Sequence, residues 1–491
     1  MAAVERPFPP GDYDVVVVGS GPGGLQTSYC LRRLGVPHAV LSRDDRPGGM
    51  FQRFPIFQRL ITWTKPDAPV EHASREYEWY DHNSLLAEEP EAKALVPGLM
   101  DRAFDLPSRA EMEAGLAAYA DRAKLDVRYG CSWESTRVED DGRLVLVTSD
   151  GEYRCRAAVF AVGVTEPWRA AVRGIEHAAH YVETREPERY AGRDVFVVGK
   201  RNSGFEVAQG ILPWARSIVL GSPRPVQTDA LALSALRVRY LHPYDEYARG
   251  GPGTYVIDVA IERIEPVDGR LRVTTRGTTW DGALEFEVDD VIAATGFRTP
   301  LRDLPQHGLV TVADDRIPAL TPFWESVSLR GAYFAGNASQ GARGVGKRGG
   351  GASSSAVNGF RYNARVLAHH LAEQLVGYRT PRGPVDDVVA FLLRELSDAP
   401  ELWVQKGYLC HVVSVEDGRH VDYGVVPLAH FLDTSGPDAL AASVEVDEAG
   451  TIFPTVYLRR RGEIREHQLD PHPLHDYRSE PYRRHVAALV D

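Results

Sequence analysis

Residues Val15 to Val18 are four consecutive β-branched residues, and they run straight into Gly19-Ser20-Gly21-Pro22-Gly23-Gly24. The valines read as a short buried strand. The glycines read as a G-x-G-x-x-G turn opening an apolar-periodic helix over Leu25 to Leu34. Each glycine has a separate physical task in such a turn. Gly19 permits the tight bend, Gly21 lets backbone approach a pyrophosphate, and Gly24 lets the helix pack close to the strand. The helix N-terminus then aims unpaired N–H groups and a positive dipole at the phosphates. A dinucleotide site near the N-terminus is the first expectation.

The bulk numbers bound the rest. With 491 residues the chain exceeds one ordinary core, so two or three domains are expected. With 43% hydrophobic and 25% charged residues, the composition is globular. A net charge of −12 argues against a nucleic-acid or acidic-membrane binder. The cysteines Cys30, Cys131, Cys155 and Cys410 form no C-x-x-C, which argues against a dithiol redox centre, and they lack zinc spacing. His467, His472, His475 and His485 match no ligand pattern either, so no metal is expected. The N-terminal segment has no apolar h-region and no run reaches membrane-span length, which points to a cytoplasmic protein.

A second strand–glycine turn–helix unit follows about 180 residues on. Val195 to Val198 lead into Gly199-Lys200-Arg201-Asn202-Ser203-Gly204, with a helix over Phe205 to Ile211 and a strand at Ile218 to Leu220. Further short strands end in glycine at Gly163, Gly296 and Gly336, and a helix is expected over Ser353 to Leu375 with Ser353, Ser354 or Ser355 as N-cap. Beyond Gly377 a linker at Pro381 to Pro384 precedes a short helix at Val388 to Leu396. Alternating stretches at Leu409 to Val415, His420 to Val426 and Ile452 to Leu458 then read as strands. The fold class expected is α/β, with two Rossmann-like three-layer domains, the second inserted in the first, and a small α+β C-terminal domain. The boundaries are 1–165 with 285–378, 166–284, and 379–491.

As a set these motifs resemble the two-dinucleotide-binding-domain flavoproteins, which include the flavin-containing monooxygenases. More narrowly the chain is similar to the FAD-dependent oxidoreductase-domain family, which includes an animal ER flavoprotein associated with degradation. The residues that carry the likeness include Gly19 to Gln26, Arg46-Pro47-Gly48, Arg53-Phe54-Pro55, Asp81 to Leu86, Gly199 with Asn202-Ser203, Asn358 to Tyr362, and Gly407-Tyr408-Leu409. Ala294-Thr295-Gly296 has the form found where such chains cross between domains.

The resemblance implies FAD in the first domain, on Gly19, Gly21, Gly24, Ser42, Arg43, Asp44, Gly48, Gly49, Thr295, Gly296, Gly336 and Asn337, with Trp63 as a candidate wall of the flavin. It implies NADPH or NADH in the second, on Gly199, Arg201, Asn202, Ser203 and Gly204, with Ser222 or Arg224 near a 2′-phosphate. Three departures stand out. Ser42 replaces the acid that accepts both ribose hydroxyls, and Asn337 replaces an Asp. Arg201 occupies the middle-glycine position of the second turn, either as a phosphate clamp or as the mark of a scaffold that no longer binds nucleotide.

The activity implied is that of an NAD(P)H-dependent monooxygenase, acting through a C4a-hydroperoxyflavin on a small amine or aromatic substrate in bacterial secondary metabolism. Asn83, Lys347 and Arg348 are the candidate donors near the reacting flavin atoms, each with a plain turn or surface-charge alternative. Two other readings stay open: an FAD oxidase or dehydrogenase that does not use nicotinamide, favoured by Arg201, and a flavin-bound redox partner without catalysis. The expected partners are a small substrate and O2, in a monomer or a homodimer. The aromatic stretch Arg239 to Tyr247 reads as an exposed loop or a substrate entry.

Overall fold

The computed structural model describes residues 6–104, 106–226, 230–232, 235–237, 253–347 and 352–490. Arg348 and the stretch 239–247 lie outside them. The chain forms two compact units, one of Met1–Gln52, Arg59–Val164 and Thr299–Asp491, the other of Arg53–Gln58 and Thr165–Arg298.

The first unit opens with strand β1 (Gly11–Val18), helix α1 (Pro22–Arg33) and strand β2 (His38–Leu41). Helix α2 (Arg109–Arg122) starts at a capping box in which Ser108 and Glu111 satisfy each other's backbone N–H. Strands β3 (Trp133–Val138), β4 (Leu144–Thr148) and β5 (Gly151–Phe160) make an antiparallel meander. β1 is flanked in parallel by β2 and β5, which explains its unbroken valine run, because a strand covered on both sides and both faces needs no polar alternation.

The second unit contains strand β6 (Ala179–His180), strand β7 (Asp194–Val198), helix α3 (Asn202–Ile211) and strand β8 (Ser217–Ser222). Strands β9 (Thr254–Val267), β10 (Arg270–Gly277), β11 (Ala283–Val288) and β12 (Asp290–Ala293) complete one sheet in the order β11-β10-β9-β8-β7-β12-β6. β12 pairs in parallel with β7. The apolar run at Val291 therefore belongs to the second sheet. The chain returns to the first unit at Thr299 and not at residue 285 as its sequence suggests.

Back in the first unit, strand β13 (Ala332–Phe334) adds to β5 in parallel, and helix α4 (Val357–Val376) packs along α1. Its N-cap is Ala356, without a side-chain cap. The expected capping serine is used elsewhere. The Ser354 hydroxyl lies 3.1 Å from Asn363 and 3.2 Å from Gln405, in a buried amide–hydroxyl network. Helices α5 (Val388–Asp398) and α6 (Pro400–Val404) precede an antiparallel sheet of β14 (Leu409–Glu416), β15 (Arg419–Pro427), β16 (Ala439–Val446), β17 (Ile452–Arg460) and β18 (Glu463–Gln468), in the order β15-β14-β16-β17-β18.

This C-terminal segment has its own sheet but shares a core. Leu392, Leu396, Leu402 and Leu409 are buried in one cluster with Leu367 and Leu371 of α4. Residues 379–491 are thus part of the first unit and not a third body. Buried charges reinforce the join. Arg75 pairs with Glu395 at 2.9 Å and Glu401 at 3.0 Å, and Glu395 accepts from His411, whose other ring nitrogen meets Asp422 at 2.8 Å. Among the described residues no helix is long and apolar enough to cross a membrane.

Candidate functional site

The two glycine turns have the same internal logic. A Cβ on Gly19, whose φ is +119°, would lie 2.5 Å from the Ala161 carbonyl oxygen, and one on Gly24 would lie 1.9 Å from the Gly19 oxygen. The second turn repeats this, with Gly199 at φ +126° against the Ala294 oxygen at 2.5 Å and Gly204 against the Gly199 oxygen at 2.3 Å. The outer glycines of each turn are therefore demanded by the protein's own backbone.

The middle positions are different. Gly21 has φ −76° and ψ −179°, which any residue adopts, and a Cβ there would make only ordinary contacts, the nearest at 3.6 Å. Nothing in the protein requires a glycine there, so its bareness fits a ligand that comes close to the backbone. Arg201 holds the same place with φ −119° and ψ −169°. The second turn accepts a side chain at no conformational cost.

Bare backbone also meets bare backbone around the first turn. A Cβ on Gly49, at φ +56°, would come within 2.8 Å of the Gly21 Cα, and one on Gly23 within 2.5 Å of the Gly336 Cα. The Gly48 N–H donates to the Ser20 carbonyl at 3.1 Å. Three distant segments, 19–24, 48–49 and 336, thus meet through bare glycine backbone and form a cradle. With the N-terminus of the twelve-residue α1 at its centre, it suits a pyrophosphate. The residues present fit FAD.

Ser42 is tied into the turn. The residue is 2% exposed, and its hydroxyl lies 2.8 Å from the Ser20 hydroxyl and accepts the Asp44 N–H at 3.2 Å. It braces the glycine turn. The half-buried Asp44 and exposed Arg43 follow it in the same loop. Asn337 accepts from Gln340 through its side-chain oxygen, and Gly336 has φ +68°. Thr295 donates to the Trp168 carbonyl at 2.6 Å and Gly296 accepts from Trp168 at 3.0 Å, so this pair ties the second unit internally. Asn202 and Ser203 are the first residues of α3, while Ser222 ends β8 and donates to the Arg224 carbonyl at 3.4 Å.

The candidate donors are placed otherwise than expected. Asn83 is 1% exposed, and its amide nitrogen donates to the Thr62 carbonyl at 3.0 Å and the Thr64 hydroxyl at 2.9 Å. The Thr62 hydroxyl donates to its oxygen at 2.6 Å. Asn83 therefore fastens the 62–64 segment to the 81–84 turn, with both amide ends engaged. Lys347 pairs with Glu466 at 2.6 Å and Glu445 at 3.4 Å and donates to the Tyr457 hydroxyl at 2.5 Å. It anchors its loop to β16, β17 and β18. Trp63 is 37% exposed with its ring edge-on to His82 at 5.0 Å. The sequence missed the Ser20–Ser42 hydroxyl pair. Its one signal is that both serines sit at the ends of adjacent parallel strands.

The model of the pyridine nucleotide-disulphide oxidoreductase family matches residues 16–336, which span both glycine turns and end at Gly336. The chain belongs to this family. Among relatives of this chain is the zebrafish (Danio rerio) FAD-dependent oxidoreductase domain-containing protein 2, 25% identical over 472 residues that cover 84% of this chain and 66% of that one. The chain thus spans just under two thirds of that relative's length. A rice (Oryza sativa subsp. japonica) indole-3-pyruvate monooxygenase is 27% identical over 335 residues, 58% of this chain and 76% of that one. Among solved structures, a flavin-containing monooxygenase from Stenotrophomonas maltophilia aligns with a TM-score of 0.54 and 22% identity, covering 74% of this chain and all but 1% of its own. The fold is that of the two-dinucleotide-binding flavoproteins, and the family's cofactors are FAD and NAD(P)H.

Proposed function

We propose that the protein is an NAD(P)H-dependent flavin monooxygenase that places one atom of O2 on a small amine or aromatic substrate, in bacterial secondary metabolism. The state of the cysteines carries this reading. The family is named for disulphide chemistry, yet Cys30, Cys131, Cys155 and Cys410 are all unpaired and buried. Burial pushes the Cys30 thiol up to about 11 and the Cys155 thiol up to about 12, and raises Cys131 and Cys410 as well. The thiolate is the reactive form, so electrons held by a flavin have no disulphide in this chain to enter. The monooxygenases among the relatives support oxygen as the acceptor.

The residues divide the work in a simple way. The turn from Gly19 to Gly24 and the N-terminus of α1 bind the FAD pyrophosphate. Gly48, Gly49, Gly336 and Asn337 line the rest of the cradle. Gly199, Asn202, Ser203 and Gly204 hold the nicotinamide nucleotide, with Arg201 turned onto a phosphate. When bound, the flavin supplies two-electron transfer and activation of O2. Asn83 acts by positioning the 62–64 segment.

Arg201 favours one alternative, an FAD oxidase that does without nicotinamide. Labelled dioxygen separates the two. A monooxygenase puts one labelled atom into product and one into water. Hydrogen peroxide formed in step with an unlabelled product overturns the proposal in favour of the oxidase.

A further inference from the structure

Lys200 follows Gly199 directly, yet its side chain is only 1% exposed and its ammonium pairs with Asp258. Lysine is almost never so buried without a partner, so the pair is a built feature of the second unit. Its position is informative. Lys200 leaves the end of β7, Asp258 sits on β9, and β8 lies between these two strands. The ion pair therefore crosses over the end of β8, where Ser222 is the register partner of Asp258. Both carboxylate oxygens are engaged, because the Thr279 hydroxyl donates to the second one at 3.1 Å. Thr278 fixes the same corner, donating its N–H to the Asp258 carbonyl at 3.1 Å and its hydroxyl to the Pro223 carbonyl at 2.7 Å.

The end of the second strand is where such a fold reads the adenosine ribose. An acid there accepts the 2′-hydroxyl, whereas a cation there receives a 2′-phosphate. In this chain the strand ends in the uncharged Ser222, and the acid stands one strand away, a spacing of about 4.8 Å. We propose that the Lys200–Asp258 pair sets which nicotinamide nucleotide the second unit accepts, by neutralising Asp258 and so admitting the 2′-phosphate of NADPH. The inference rests on the nucleotide reading given above. A bare Asp258 repels a 2′-phosphate and accepts ribose hydroxyls. Paired with Lys200 and Thr279 it does neither, and the exposed Arg224 is left to meet the phosphate.

The test is titration calorimetry of the flavin-loaded protein with NADP+ and with NAD+, which reads binding without turnover. Wild type is expected to bind NADP+ more tightly. Lys200→Met is expected to weaken NADP+ by about tenfold and to tighten NAD+, as Asp258 regains a free charge. Asp258→Asn keeps the shape of the site and is expected to move the preference the other way, further towards NADP+. It carries the test alone if Lys200→Met does not fold. If folded variants bind both nucleotides with an unchanged ratio, or if wild type prefers NAD+, the inference is overturned while the nucleotide reading stands. If wild type binds neither nucleotide, both are overturned.

Discussion

At the residue scale, glycines that look equivalent in the sequence separate by what surrounds them. Gly24→Ala forces a Cβ to within 1.9 Å of a backbone oxygen, and we expect it to cost roughly 3 kcal/mol or more in thermal or urea unfolding. Gly21→Ala meets nothing closer than 3.6 Å. It should unfold within about 1 kcal/mol of wild type, yet purify with its flavin content reduced about tenfold, because the lost contact is with the ligand. Equal stability loss in the two variants would contradict this assignment. The G-x-G-x-x-G pattern was legible from spacing alone. Which glycine serves the fold and which the ligand was not, since that depends on Ala161, Gly49 and Gly336, all distant in sequence. The Ser20–Ser42 pair was hidden for the same reason, because it is visible only once β1 and β2 lie side by side.

At the element scale, α5, β14 and β15 meet at a buried charge cluster. His411 lies between Glu395 and Asp422, and Glu395 is also held by Arg75. The two carboxylates push His411 up to about 9 despite its burial, while His411 and Arg75 hold Glu395 down near 2. The His411 contribution is fully present below its ordinary value of 6.5 and is lost as pH rises through about 9. Its size is on the order of 3 kcal/mol. The Glu395 contribution is present above its ordinary value of 4.5 and is lost as pH falls towards about 2. Melting temperatures between neutral and mildly alkaline pH should therefore fall in wild type and stay flatter in His411→Gln. Identical slopes would remove His411 from the account. The alternating strands at Leu409 and His420 were readable from their pattern, but the cluster was not, because Arg75, Glu395 and Asp422 are far apart along the chain. Lys347 shows the same limit, since its carboxylate partners come from β16 and β18.

At the scale of the whole molecule, two strand–turn–helix units and their order were legible because buried parallel strands leave unbroken apolar runs. The boundaries were not, because an apolar run does not say which sheet it joins, and β12 joined the second. The C-terminal segment read as a separate domain since its strands alternate, yet its helices complete the core behind α4. A chain ending at residue 378 should accordingly lose cooperative unfolding and bound flavin together. An unchanged melt of that shortened chain would show the segment to be an independent module. The proposed function has FAD on the bare cradle at Gly21 and a nicotinamide nucleotide on the turn at Arg201. The most direct measurement is anaerobic stopped-flow absorbance of the purified yellow protein mixed with NADPH. Rapid bleaching of the flavin band is expected, with the band restored when O2 is admitted. A flavin that stays oxidised with both NADPH and NADH, while an amine or other organic substrate bleaches it, would rule out nicotinamide as the electron donor.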